Sequence, residues 1–147
     1  MKEEYKSKWI DKNTGVINDI NDFRSDVKGF VYLITNKVTG QKYIGKKILK
    51  LKIRRKPLKG MKRVRIDYKE SDWKTYTGSS DITKEWKQED CVRMILHMCV
   101  DKRHMDYMET KEQFARDVLF DDSYVNDNIS KKFFKKSMMK YVVKDSE

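Results

Sequence analysis

Between Phe30 and Lys47 the chain reads FVYLITNKVTGQKYIGKK, and this pattern restricts the fold more than any other stretch does. β-Branched and aromatic residues from Phe30 to Thr35 and from Gln41 to Lys47 flank Asn36–Gly40, a polar turn with Gly40 where a positive φ is wanted. The pattern predicts a β-hairpin. Side chains two apart share a face of a strand, so Lys47 sides with Tyr43 while Lys46 points the opposite way.

The rest of the chain supplies partners for the hairpin. With 147 residues it has one domain's worth of length and a single modest core. Charged residues make up 39%, but 12% are aromatic, which argues against a wholly disordered chain. Residues 1–28 read as a loosely structured arm anchored by Trp9, Ile10, Val16, Ile20 and Phe23, ending in a turn at Lys28-Gly29. Ser80-Asp81 looks like a cap for a short helix running to about Gln88. CVRMILHMCV, residues 91–100, reads as a buried third strand. A helix from Lys102 to Leu119 follows, with stripes at Met105, Met108, Ala115, Leu119 and at Tyr107, Phe114, Val118. Residues 129–147 read as a basic C-terminal helix or tail that docks Phe134, Met138, Tyr141 and Val142 on the core. Two cysteines, no signal-peptide core and no long apolar run point to a cytoplasmic chain with no membrane partner.

Charge is concentrated in one place. Residues 46–65, KKILKLKIRRKPLKGMKRVR, carry eleven positive charges and no negative one, which equals the net charge of +11. Crowding of like charge at this density favours an anionic partner, and phosphates are the expected anion. Lys47, Lys50, Lys52, Lys56, Lys59, Lys62, Arg63 and Arg65 are therefore expected to bind nucleic acid.

Val31-Tyr32 and Tyr43-Ile44-Gly45 resemble the two halves of the GIY-YIG nuclease signature, with Phe30 standing where the first triplet has Gly. Tyr76-Thr77-Gly78-Ser79-Ser80, an Ile95-Leu96 strand and a helix with Tyr107-Met108-Glu109 are similar in order and spacing to the family's other elements. The segments YIGKK and ESDWKTYTGSS look most like small freestanding bacteriophage members. The resemblance covers about residues 29–128, with 46–66 as a basic insertion. It implies an α/β (α+β) fold, a three-stranded antiparallel sheet flanked by helices, and DNA phosphodiester cleavage with one Mg²⁺ (or Mn²⁺). Homing and degradation of host DNA are two roles open to such an enzyme.

Carried over residue by residue, the resemblance implies a base at Tyr32 or Tyr43, the other tyrosine orienting water or phosphate. A phenol titrates near about 10, so it becomes a base only where cations favour its phenolate. Lys46, Lys47, Arg54 and Arg55 are the cations on offer, and a lysine of this YIGK type is Lys46 or Lys47. The phosphate-clamping arginine is Arg54 or Arg55, with Arg63 and Arg65 as rivals because the segment holds Pro57 and Gly60 and is long. Glu109 matches the metal-binding glutamate, with Glu112 as the fallback, and Asn126 the late asparagine, with Asn128 beside it. One carboxylate plus waters suits Mg²⁺.

Cys91, His97, Cys99 and His104 fit no zinc spacing, although parity puts the first three on one strand face. No separate DNA reader is evident, so weak sequence preference is expected from a monomer or weak homodimer. Two rival readings remain. One is a nucleic-acid-binding protein that keeps the scaffold without the reaction. The other is a small phage structural or host-takeover protein whose basic segment docks on an acidic protein.

Overall fold

The computed structural model describes residues 8–145. In chain order the elements are β1 (Trp9–Asp11), β2 (Gly15–Ile17), β3 (Gly29–Asn36), β4 (Lys42–Ile48), β5 (Lys50–Arg55), β6 (Arg65–Glu70), β7 (Cys91–Cys99), α1 (Lys102–Ala115), β8 (Asn128–Ile129), β9 (Phe133–Phe134) and α2 (Lys135–Asp145). The expected hairpin is β3–β4, in register from Gly29↔Ile48 to Thr35↔Lys42. Its turn closes because the Asn36 side-chain oxygen accepts from the Val38 and Thr39 amides and Gly40 sits at φ +78°.

β7 lies antiparallel to β3 on the other side, which completes the expected three-stranded α+β core. The sheet then continues. Its order is β2-β1-β7-β3-β4, with β1 parallel to β7 and antiparallel to β2. The described part of the stretch read as a loose arm thus supplies two strands; residues 1–7 of that arm lie outside the described residues. The cause is local chemistry: the Asp11 carboxylate takes the Asn13 and Thr14 amides at 2.9 Å, Gly15 turns at φ +91°, and Trp9 is buried. Trp9 donates its indole N–H to the Trp73 carbonyl and packs edge-on against Phe30. A fully buried aromatic of this kind contributes roughly 1.5–3 kcal/mol.

Two apolar layers cover the sheet. Trp9, Phe30, Tyr32, Ile34, Trp73 and Ile95 form one, and Val31, Ile44, Leu96, Met105, Val118 and Tyr124 the other, under α1. A bulge in β7 at the Val31/Tyr32 step lets Val31 face His97 while Tyr32 faces Ile95. The extra residue reverses parity beyond it. Cys91 and Cys99 therefore belong to opposite layers, and the shared cysteine face expected from parity does not exist. Both thiols are free, and burial raises each to about 11.

Three further expectations are corrected. Residues 80–90 form two single-turn 3-10 helices, Thr83–Glu85 and Gln88–Asp90, because the Thr83 hydroxyl donates to the Ser80 carbonyl and accepts from the Ser80 amide, closing a tight loop before a helix can grow. α1 is capped by Asp101, which accepts from the His104 amide, and ends at Ala115, before Asp117 at φ +49°. Tyr107 and Phe114 are exposed, and Val118, the buried member of the second stripe, lies past the end of the helix. α2 does follow the basic C-terminal pattern, but of the expected docking residues Met138 packs on the core while Phe134, in β9, and Tyr141 are exposed; the Val142 side chain lies outside the described residues. Among the described residues no helix is long and apolar enough to cross a membrane.

Candidate active site

β4 is an edge strand, and an edge strand presents unpaired backbone groups. Residues 123–126 cover half of this one. The Lys42 amide donates to the Ser123 carbonyl and the Val125 amide to the Lys42 carbonyl. Buried Asn126 then acts as a side-chain strand: its oxygen accepts from the Ile44 amide at 3.1 Å and its NH₂ donates to the Ile44 carbonyl at 2.8 Å. Gln113 adds a weaker bond to the same carbonyl. Beyond Ile44 the cover stops, and a cleft of about 800 Å³ opens, lined by Tyr43, Lys46, Ser79, Asp106, Glu109 and Asn126 among others.

Residues from both faces of β4 meet there. Tyr43 comes from one face, where Tyr32 crosses Gly45, its register partner. A side chain at Gly45 would collide with the Tyr32 hydroxyl and the Tyr43 ring, so glycine is what lets the two phenols come together. Their ring centroids are 6.2 Å apart, and Tyr76 faces Tyr32 at 6.0 Å. The two hydroxyls differ in access. The Tyr32 oxygen is buried with no hydrogen-bond partner inside normal limits, while the Tyr43 oxygen lies 2.8 Å from the Ser79 hydroxyl at the cleft wall. Burial raises the Tyr32 pKa well above its usual value, helped by the neighbouring phenols of Tyr76 and Tyr43. Burial also raises Tyr43, opposed by the Ser79 hydrogen bond and assisted by the charge of Glu109. Both are neutral phenols at rest.

The opposite face supplies charge. Lys46 forms a short ion pair with Asp106 and lies 3.8 Å from Glu109. Asp106 and Glu109 stand at i and i+3 on α1, one turn apart on the same side. Burial raises the Glu109 pKa, opposed by Lys46 and reinforced by Asp106. Glu112 is elsewhere: burial works against its ionisation, but hydrogen bonds from His97 and Arg116 hold it below the usual range, and it does not line the cleft. The structure thus separates the two glutamates that sequence spacing left together.

Other expected site residues lie apart. Lys47, on the tyrosine face, pairs with Asp72 at 2.6 Å and covers the Tyr76 ring at 4.0 Å. Arg54 and Arg55 stand on the separate β5–β6 ribbon, where Arg55 pairs with Asp67 at 2.8 Å, and neither lines the cleft. Lys50 and Lys52 are on β5, Arg65 opens β6, and Lys56, Lys59, Lys62 and Arg63 occupy the loop between them, all exposed. Asn128 lines the cleft, but its side chain binds Asp127 and the Lys131 amide. Cations expected to support a phenolate are therefore engaged or distant. Asp106 and Ser79 were not singled out by sequence reasoning; the i, i+3 spacing to Glu109 was the available signal for Asp106.

Two carboxylates holding an ammonium between them are a donor set that fits a small hard cation, and Lys46 is the stand-in. No group of three or more His, Cys, Asp or Glu suited to a metal occurs among the described residues. No curated protein and no solved structure matches the chain. A family profile described as "Putative endonuclease segE, GIY-YIG domain" matches residues 9–137, which takes in the β1–β2 extension, the paired tyrosines, the ribbon and the Glu109 helix. The chain belongs to the GIY-YIG nuclease family.

Proposed function

We propose that this cleft hydrolyses phosphodiester bonds in DNA and that a single Mg²⁺ (or Mn²⁺) ion assists. The observation that carries the proposal is the meeting of Tyr43, Lys46 and Glu109 in one open cleft beside the uncovered end of β4. Glu109, with Asp106 beside it, would hold the ion, which supplies Lewis-acid stabilisation of the phosphoryl oxygens.

The chain's own groups divide the remaining work. Tyr43 reaches the cleft with its oxygen oriented by Ser79, and as a phenolate, having first given its own proton to solvent, it would take the proton of the attacking water. The charge of Glu109 is among the causes that raise the Tyr43 pKa, so the state of that carboxylate bears on how readily Tyr43 serves as the base. Tyr32 fixes the Tyr43 ring from behind Gly45. Lys46 lines the cleft and is the ammonium that would donate to a phosphate oxygen there. Asn126 commits both polar side-chain atoms to Ile44 and so positions β4.

Purified protein with supercoiled plasmid tests this directly. Nicked circles are expected with Mg²⁺ and none in chelator. Nicking that persists in chelator removes the metal, and binding without any nicking favours the non-catalytic scaffold.

A further inference from the structure

β5 and β6 form a two-stranded antiparallel ribbon that is not part of the main sheet, in register from Lys50↔Glu70 to Arg55↔Arg65. It is rooted firmly. Buried Leu49 donates its amide to the Lys28 carbonyl and accepts from the Ser71 amide, and the Ser71 hydroxyl donates to the Ile48 carbonyl. Past that root, all but Ile53 of the twelve strand residues are exposed. A ribbon bare on both faces has no core of its own, so its side chains are chosen for something other than packing.

Opposed residues of an antiparallel pair share a face. One face carries Lys50, Lys52 and Arg54 opposite Glu70, Tyr68 and Ile66. Arg55 and Arg65 are on the other face and are occupied, by Asp67 and by the Lys56 carbonyl. Among the described residues Lys52 and Arg54 have no such partner, and Glu70 turns away to accept from the Trp73 indole. This face therefore presents unengaged cations interleaved with exposed Tyr68 and Ile66. A surface meant only for phosphates needs cations alone. Apolar side chains between an arginine and a lysine also suit base edges, where arginine forks onto guanine and apolar groups meet thymine methyls.

We infer that the Lys52–Arg54–Tyr68 face of the ribbon enters the major groove of duplex DNA and gives the enzyme a base preference to one side of the cut. Resting on the DNA reading above, it replaces the weak preference expected from sequence. Size agrees: six residues per strand span about 20 Å, and the groove is about 12 Å wide and admits a two-stranded ribbon. Arg55 is nine residues beyond Lys46, about 30 Å of extended chain. At 3.4 Å per base pair, the preferred positions lie within about nine base pairs of the scissile phosphate.

The test uses the full chain in chelator, which keeps the DNA intact, with duplexes randomised over twenty-odd pairs and sequencing of the bound fraction. The parent should enrich particular bases about tenfold per preferred position. Arg54→Lys combined with Tyr68→Ala keeps the charge but removes the fork and the ring. It should bring enrichment below about twofold while affinity for random duplex stays within about threefold. A parent without preference, a variant that keeps it, or a parent dimer that Tyr68→Ala dissolves each overturns the inference. Preference without Mg²⁺-dependent nicking would leave it standing and remove the nuclease reading, and nicking without preference would do the reverse.

Discussion

The cleft and the ribbon carry charge in opposite ways. In the cleft Lys46 is tied to Asp106 and Glu109, the tyrosines are held neutral by burial, and Asn126 spends both polar atoms on Ile44. On the ribbon Lys52, Arg54, Lys59 and Lys62 stand exposed with no acidic partner among the described residues. Pre-engaged groups in a partly buried site have fixed geometry, which chemistry requires. Free cations on long stems adapt to a polymer of phosphates, which affinity requires. On the proposed function turnover belongs to the cleft and binding to the ribbon, and each prediction below sets one against the other.

The largest expected effect is on turnover. Glu109→Gln and Tyr43→Phe should each lower Mg²⁺-dependent nicking by about a hundredfold or more. DNA affinity should be unchanged, or slightly greater for Glu109→Gln because a negative charge near the phosphate is lost. Glu112→Gln should leave turnover near parental, since its carboxylate is committed to His97 and Arg116. Plasmid nicking beside a filter-binding titration reads both quantities. Equal losses in nicking and affinity for Glu109→Gln would dissolve the division between the regions.

Next comes salt. If about five ribbon cations meet phosphates, log K should fall against log salt with a slope near −4.5. Lys59→Ala with Lys62→Ala, in the exposed loop of the ribbon, should flatten it by about 1.8, whereas Arg55→Ala should flatten it less because Arg55 is paired with Asp67. Lys46→Ala should leave it almost untouched. A parental slope near zero would mean that the ribbon faces solvent or an acidic protein.

Glycines sharpen the contrast in stability. Gly45→Ala drives a methyl group into the Tyr32 hydroxyl, on a ring locked in the core, and should cost about 1–3 kcal/mol. It should also lower nicking, because the phenols must separate. Gly60→Ala, in the ribbon loop at φ +82° with open space around it, strains only the backbone, about 1 kcal/mol, and should leave nicking unchanged. Urea unfolding and nicking rates of the two variants distinguish strain in the site from strain beside it.

Much of this is legible in the sequence alone. The hairpin, the third strand and the Glu109 helix announce themselves through alternation and a helical period of apolar residues, which are local signals. The tyrosine pair and glycine could be read because register across a short turn follows from sequence. What failed was long-range or irregular. Trp9 pairs with a strand more than eighty residues away, and nothing near it in sequence shows that partner. One bulged residue in β7 undid the parity argument for Cys91 and Cys99. Arg54 was placed by counting from Tyr43, but counting along a chain does not reveal that the insertion leaves the sheet as its own ribbon. Asn126 was found through resemblance, while its double bond to Ile44 is visible only in three dimensions.

The smallest effect concerns what the cleft costs the fold. Burial raises the Glu109 pKa above its unfolded value, so the neutral acid is the form the fold prefers. The linked stability is fully present below the ordinary glutamate pKa of about 4.3 and is lost as pH rises through the raised folded value. At neutral pH the charged carboxylate is thus a small net burden, offset in part by Lys46. Glu109→Gln, neutral at every pH, should unfold at slightly higher urea than the parent at pH 7, by less than about 1 kcal/mol, and the advantage should disappear by about pH 4. Asp67→Asn on the ribbon is the counterpart: it breaks an exposed pair with Arg55 that contributes about 0–1 kcal/mol, so it should bring no gain at pH 7. A Glu109→Gln protein less stable than the parent at pH 7 would mean that the Lys46 pair outweighs burial, and the cleft would then be held together by its charges instead of straining against them.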